Sequence, residues 1–215
     1  MIRKISILLC LLATLKLVCA ESTNQTMTKI VYRDISTNFL SSSFAAQPRT
    51  DYRSGEKYGR TEEAPDPALK IHGLIIVNEP DAWIINLMTK TGIHDLDGGP
   101  TYIFHAPIVG FEGKSQAEFQ AFKSLLISKF EFGKEMEFLK TYKAKKLSDH
   151  YELIIDDYRI ELFPKAGTEI PYRLKIFKGK SQISYLQYDE YKTDLPLDLS
   201  LFTPPPGIKI SERQP

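Results

Sequence analysis

The four histidines, His72, His94, His105 and His150, are the side chains best placed for acid–base or metal chemistry, since an imidazole titrates near neutrality and ligates through nitrogen. His94, Asp95, Asp97 and His105 form the densest group of nitrogen and oxygen donors, a set that suits zinc. Their spacing matches no recurrent metal site, and Asp95-Leu-Asp-Gly-Gly-Pro100 has the composition of a turn. Asp156 and Asp157 read as a hairpin turn, and Glu62 with Glu63 as the end of a solvated strand. The sequence has no phosphate loop, no dinucleotide glycine pattern, no GxSxG and no HExxH. No nucleophile, base and oxyanion donor stand at a workable spacing, so the chain is expected to be neither an enzyme nor a binder of a metal or other cofactor.

What the chain holds in quantity is apolar and aromatic surface, with 12 Phe, 11 Tyr and 1 Trp. Trp83, Ile85 and Leu87 alternate with Ile84, Asn86 and Met88, which lines one face of a sheet with the first three. Phe119, Phe122, Leu126 and Phe130 recur at spacings that make one face of a helix. If the helical stripe lies against the Trp83 face, the space between them is either a filled core or a slot for an acyl chain. Each buried CH₂ is worth about 0.8 kcal/mol in such a slot. Trp83, Ile85, Leu87, Phe119, Phe122 and Leu126 are the residues expected to line it. Filled and hollow both remain open at this point.

The elements that must position these residues are mostly strands. Residues 29–35, 49–63 around a Ser54-Gly55-Glu56 turn, 69–77 and 83–88 read as strands, and prolines at 65, 67, 80, 100 and 107 disfavour helix in this half. A helix is predicted from Ser115, because Ser115 with Glu118 three residues on is a capping box, and a second short one over 134–140. Four more strands follow at 151–155, 158–163, 170–177 and 183–191, joined by short turns and carrying alternating charges. Strands, a helical insert and strands again predict an antiparallel α+β domain with a mid-chain helical lid.

The first twenty residues read as a secretory signal. Met1-Ile2-Arg3-Lys4 is a basic start, residues 5–15 are apolar apart from Ser6 and Thr14, and Val18-Cys19-Ala20 offers a cleavage site before Glu21. The run is shorter than the roughly 20 residues a membrane span needs, so no transmembrane anchor is expected after cleavage. A lipid-modified Cys19 is the rival reading, and Leu17 and Val18 are bulkier than a lipoprotein site prefers. Residues 21–215 would form a single domain. Cleavage removes Arg3, Lys4 and Lys16 from the 28 basic residues, leaving 28 − 3 = 25 against 27 acids. It also removes Cys10 and Cys19, both cysteines of the chain, so an exported form has no disulfide. A near-neutral balance gives no footprint for nucleic acid. The run 140–146 holds four lysines but is offset by the acids after it. Asn24-Gln-Thr26 is a glycosylation sequon that has meaning only in a eukaryotic source.

Tyr52-Arg-Ser-Gly-Glu-Lys-Tyr58, the stretch 73–91 around Trp83, and Tyr188-Asp-Glu-Tyr191 followed by Asp198-Leu-Ser-Leu-Phe-Thr-Pro-Pro-Pro-Gly207 carry a resemblance. The chain resembles the outer-membrane lipoprotein carrier superfamily (LolA-like), as a divergent member. That resemblance implies an incomplete antiparallel β-barrel, a half-barrel, with helices over its open side and an apolar cavity for lipid or lipoprotein acyl chains. It also implies a periplasmic location and a part in lipoprotein sorting. The chain departs from the family in having only a polar stub before Ile30 in place of an amphipathic helix. Arg33, Arg53 and Arg60 are all candidates for the family's early-strand arginine. A filled barrel that acts through an envelope protein partner is the alternative.

Overall fold

The computed structural model describes residues 25–36, 46–96 and 107–213. The expected signal peptide with its two cysteines, the sequon asparagine Asn24, and the turn 97–100 lie outside them. Twelve strands form one sheet that does not close, in the order β12-β6-β5-β4-β3-β2-β1-β11-β10-β9-β8-β7. In chain order these are β1 (Thr26–Asp34), β2 (Arg49–Ser54), β3 (Tyr58–Glu62), β4 (Gly73–Asn78), β5 (Asp81–Asn86), β6 (Thr91–Leu96), β7 (Lys145–Lys146), β8 (Tyr151–Ile155), β9 (Tyr158–Pro164), β10 (Pro171–Lys178), β11 (Ser181–Pro196) and β12 (Lys209–Glu212). Every pairing is antiparallel except the last, where β12 runs parallel to β6. Two helices, α1 (Gln116–Ser124) and α2 (Glu135–Thr141), fall in the middle of the chain. The α+β expectation therefore holds, with an open sheet of great width.

Local chemistry explains most of the turns. Gly55, Gly179 and Asp156 all take positive φ, at the β2–β3, β10–β11 and β8–β9 hairpins. These are positions where Gly and Asp are tolerated and most side chains are not. The strand expected over 69–77 begins only at Gly73, because 67–70 form a turn closed by Asp66 and Ile71. Asp66 accepts hydrogen bonds from the Ala68 and Leu69 amides there and leaves Leu69 exposed. The parallel β12 has no counterpart among the expected strands.

Successive strand residues point to opposite faces of a sheet, and the protein buries both faces in different places. On one face, Leu186, Leu174 and Leu162 stand opposite one another across β11, β10 and β9. Ile176, Ile160 and Leu153 form the parallel row. Ile30, Tyr32, Tyr188 and the insert residues Ile127, Phe130, Phe132, Phe138 and Leu139 complete that core. On the other face, Met27, Leu74, Ile76 and Ile85 pack against Phe202, which the chain delivers in the 3-10 turn Leu199–Phe202 after leaving β11.

Candidate functional site

Ser115 starts α1 as its sequence requires. Its hydroxyl accepts from the Glu118 amide, and the Glu118 carboxylate accepts from the Ser115 amide at 2.9 Å. The helix stops at Ser124, short of Phe130, because Leu125 has an extended backbone. Competing partners account for the break: the Ile127 amide donates to Asp156 at 3.1 Å, and the Ser128 hydroxyl donates to the carbonyls of Leu125 and Lys123. The single helical face expected over Phe119, Phe122, Leu126 and Phe130 is thus divided between α1 and a 3-10 turn, Leu126–Lys129. None of the α1 residues is buried.

An exposed helix set over a sheet leaves space beneath it. A cleft of about 630 Å³ lies between α1, the segment 107–113 and the sheet. Phe122, Leu125, Phe132, Phe111, Val109 and Ile108 line its insert side, and Tyr32, Ile183 and Leu186 its sheet side. Asp34, Arg49, Glu112, Glu118 and Lys178 supply its charged groups. A volume of this size is typical of small-molecule sites.

The structure does not bring the six expected slot residues together. Phe122 lines the cleft, Phe119 packs edge-on to Phe111 beside it, and Leu126 packs on the large core below. Trp83, Ile85 and Leu87 belong to the Phe202 cluster on the opposite face of the sheet. Alternation along β5 correctly places Trp83 and Ile85 on one face. The helical insert covers the other one, and only Phe122 of the six lines the cleft. Trp83 instead stacks on His94 with ring centroids 5.3 Å apart. His94 is held at Nε2 by Asp81 (2.8 Å) and at Nδ1 by Glu212 (2.7 Å), while Asp97 and His105 lie outside the described residues.

Below the cleft lies a polar group that the strand and helix patterns did not single out. Phe132 stacks on Tyr32 at 4.2 Å, forming part of the cleft wall. Phe132 also lines a chamber of about 20 Å³, together with the buried Asp51 and the exposed Gly55 and Glu56. Asp51 is 3% exposed, and neither of its carboxylate oxygens has a hydrogen-bond partner among the described residues. Glu135, fully buried at the start of α2, accepts hydrogen bonds from the hydroxyls of Tyr188 (3.1 Å) and Tyr191 (2.7 Å) and from the Gly133 amide (3.0 Å). Burial pushes both carboxyls up to about 7, because a charge is costly away from water. For Asp51, Thr61 and the guanidinium groups of Arg49 and Arg53 offset only part of that penalty. The one sequence signal was Arg49-Thr-Asp-Tyr-Arg53, whose alternation points an acid to the same side as two arginines.

The same face continues past the insert as an apolar trough of about 590 Å³ over β4, β5 and β6. Ile75, Ile84 and Ile93 stand in one cross-strand row there, and Ile84 and Ile93 are each 46% exposed. Arg49 at the cleft and Glu63 at the trough lie 3.5 Å apart, so an ion pair divides the two. Among the described residues no helix is long and apolar enough to cross a membrane.

No protein-family model and no curated protein matches the chain. Among solved structures it is similar to an uncharacterized conserved protein from Thermus thermophilus, at 11% identity and a TM-score of 0.44, over 89% of this chain and 92% of that one.

Proposed function

We propose that the protein is an exported, non-enzymatic binding module that shelters a lipid or lipoprotein acyl chain in the cleft between α1 and the sheet. The observation that carries this reading is the cleft itself, roofed by a helix that buries none of its own residues and walled by Phe122, Leu125, Tyr32, Phe132 and Leu186. In this reading the open sheet acts as a half-barrel and α1 as its lid, in keeping with the LolA-like resemblance and a periplasmic location. An acyl chain gains about 0.8 kcal/mol for each CH₂ removed from water, so a single chain is enough for firm binding.

Native mass spectrometry of protein purified without detergent tests the proposal, followed by uptake of a fluorescent fatty acid. We expect a bound acyl species, and Phe122→Asp to lower uptake at least tenfold while Trp83→Ala, on the opposite face, leaves it unchanged. An empty protein that refuses added fatty acid overturns the reading. The exposed row Ile84 and Ile93 favours a second one, a protein that acts through an envelope partner docked on the β4–β6 trough.

A further inference from the structure

We propose that Asp51 and Glu135 form an interior proton-binding switch whose ionisation loosens the hold of the helical insert on the sheet. The proposal does not depend on what the cleft binds. Its basis is an asymmetry of partners. Glu135 has three donors and ties α2 to β11 through Tyr188 and Tyr191. Asp51, on β2 and close enough to feel its charge, has no partner in good hydrogen-bond geometry among the described residues and only the Thr61 hydroxyl beside it to ease its charge. A buried carboxyl so poorly bonded is tolerable when neutral and costly when charged. Two of them near each other favour at least one held proton, because like charges raise each other's affinity for it.

The surrounding groups do not neutralise the pair. From β2, Arg49 is engaged with Glu63, and Arg53 pairs with Glu131 and donates to the Gly55 carbonyl at 3.2 Å. From the turn before α2, Lys134 reaches Glu131 and Glu56 at 3.7 and 3.6 Å. From β1 and β11 the facing groups are the phenols of Tyr32, Tyr188 and Tyr191, and from β3 the hydroxyl of Thr61. His72, His94 and His150 are bonded to other acids, Glu62, Asp81 with Glu212, and Asp149. The chamber that Asp51 lines with the exposed Gly55 and Glu56 offers a route for the proton. Its 20 Å³ has room for one water, which needs roughly 10–15 Å³.

The direction follows from linkage. Both carboxyls bind protons more tightly folded than unfolded, so their contribution is fully present below the ordinary carboxylate range of about 4. It declines as pH rises towards about 7, where the folded groups ionise, and stays lost above that. The strain falls first on the turn 131–134 and on α2, which Glu135 anchors. Phe132 in that turn carries it to the cleft wall through its stack on Tyr32.

Carboxyl-carbon NMR titration of the protein between pH 3 and 8, with amide hydrogen exchange over 135–141 between pH 5 and 8, tests the proposal. We expect at least one of the two carboxyls to titrate near neutrality. Protection of the α2 amides, corrected for intrinsic exchange, should fall several-fold more than that of the β9–β10 amides over the pH 5–8 range. Asp51→Asn, neutral at every pH, should remove most of that fall. If the variant does not fold, the wild-type titration decides alone. Titration of both groups near pH 4, or an Asp51→Asn protein with the wild-type pH response of α2, overturns the proposal.

Discussion

Around Phe202 the sheet is covered mainly through apolar contact, with Arg60 of β3 donating to the Leu201 carbonyl at 3.1 Å, whereas around Glu135 it is covered by an insert tied down through hydrogen bonds to a buried carboxyl. Phe202 is fully buried among Met27, Leu74, Ile76 and Ile85 and lies 5.2 Å from the Tyr58 ring. Apolar contact of this kind is non-directional and indifferent to pH. The insert has apolar anchors too, in Ile127, Phe130 and, on α2 itself, Phe138 and Leu139, but α2 is also tied to β11 by two directed bonds, from Tyr188 and Tyr191, onto one titratable group. One face of the sheet is thus closed by a plug and the opposite face by a fastening that can be undone. The cleft lies beside the fastening, where the covering element has room to move.

Removing the plug is the strongest way to test this contrast. Phe202→Ala deletes a fully buried ring and should cost about 3–5 kcal/mol in urea denaturation, the usual range for Phe to Ala in a core. Because Phe202 lies across the sheet from the cleft, fatty-acid uptake by the folded fraction should be unaltered. A loss under about 1 kcal/mol would mean that the C-terminal segment does not close this face. Coupled loss of stability and uptake at matched folded fraction would erase the distinction between the two regions.

Much of this architecture is legible in the sequence, and what is not has a physical cause. The capping box at Ser115, the Asp156-Asp157 hairpin and the strand at Trp83 are set by neighbours within a few residues, so a local pattern finds them. Period-two alternation also tells correctly that Trp83 and Ile85 share a face with each other. It carries no information about what covers that face, because Phe202 arrives from more than a hundred residues away. The single stripe from Phe119 to Phe130 misled for the same reason: Asp156, a distant hairpin residue, takes the Ile127 amide and ends the helical run. Asp51 and Glu135 were missed because solvated acids are the rule on strands and first helical turns. Their burial exists only once β2 and α2 face each other.

A smaller effect is expected at the other end of the insert. Ser115→Ala removes the α1 cap, a change that costs about 1 kcal/mol of helix stability. Since α1 buries none of its residues, the loss should show as faster amide exchange over 116–124 and faster ligand release. The global unfolding midpoint should move far less than for Phe202→Ala. A global shift of equal size would show α1 to be part of the core and not a loosely seated cover.

The smallest effect should come from the sheet edge, where a second titratable fastening lies on the face opposite the cleft. His94 joins Asp81 on β5 to Glu212 on β12, and all four β12 residues are exposed. The hydrogen bond to Glu212 is the largest influence on His94 and raises its pKa above the ordinary 6.5; burial opposes it, and the hydrogen bond to Asp81 adds to the rise. A raised histidine contributes stability that is complete below its unfolded value and is lost as pH climbs through its folded one. Amide protection over 209–212 should therefore decline as pH rises from 6 to 8, while His94→Gln should be flat across that window. The backbone bonds from Lys209 to Lys90 and from Arg213 to His94 persist in the variant, so β12 should fray without detaching. A wild-type edge with no pH response would mean that the ladder to β6 and the Arg213–Asp95 ion pair hold β12 without help from His94. The interior pair at Asp51 and Glu135 would then be the one pH-sensitive fastening of the two.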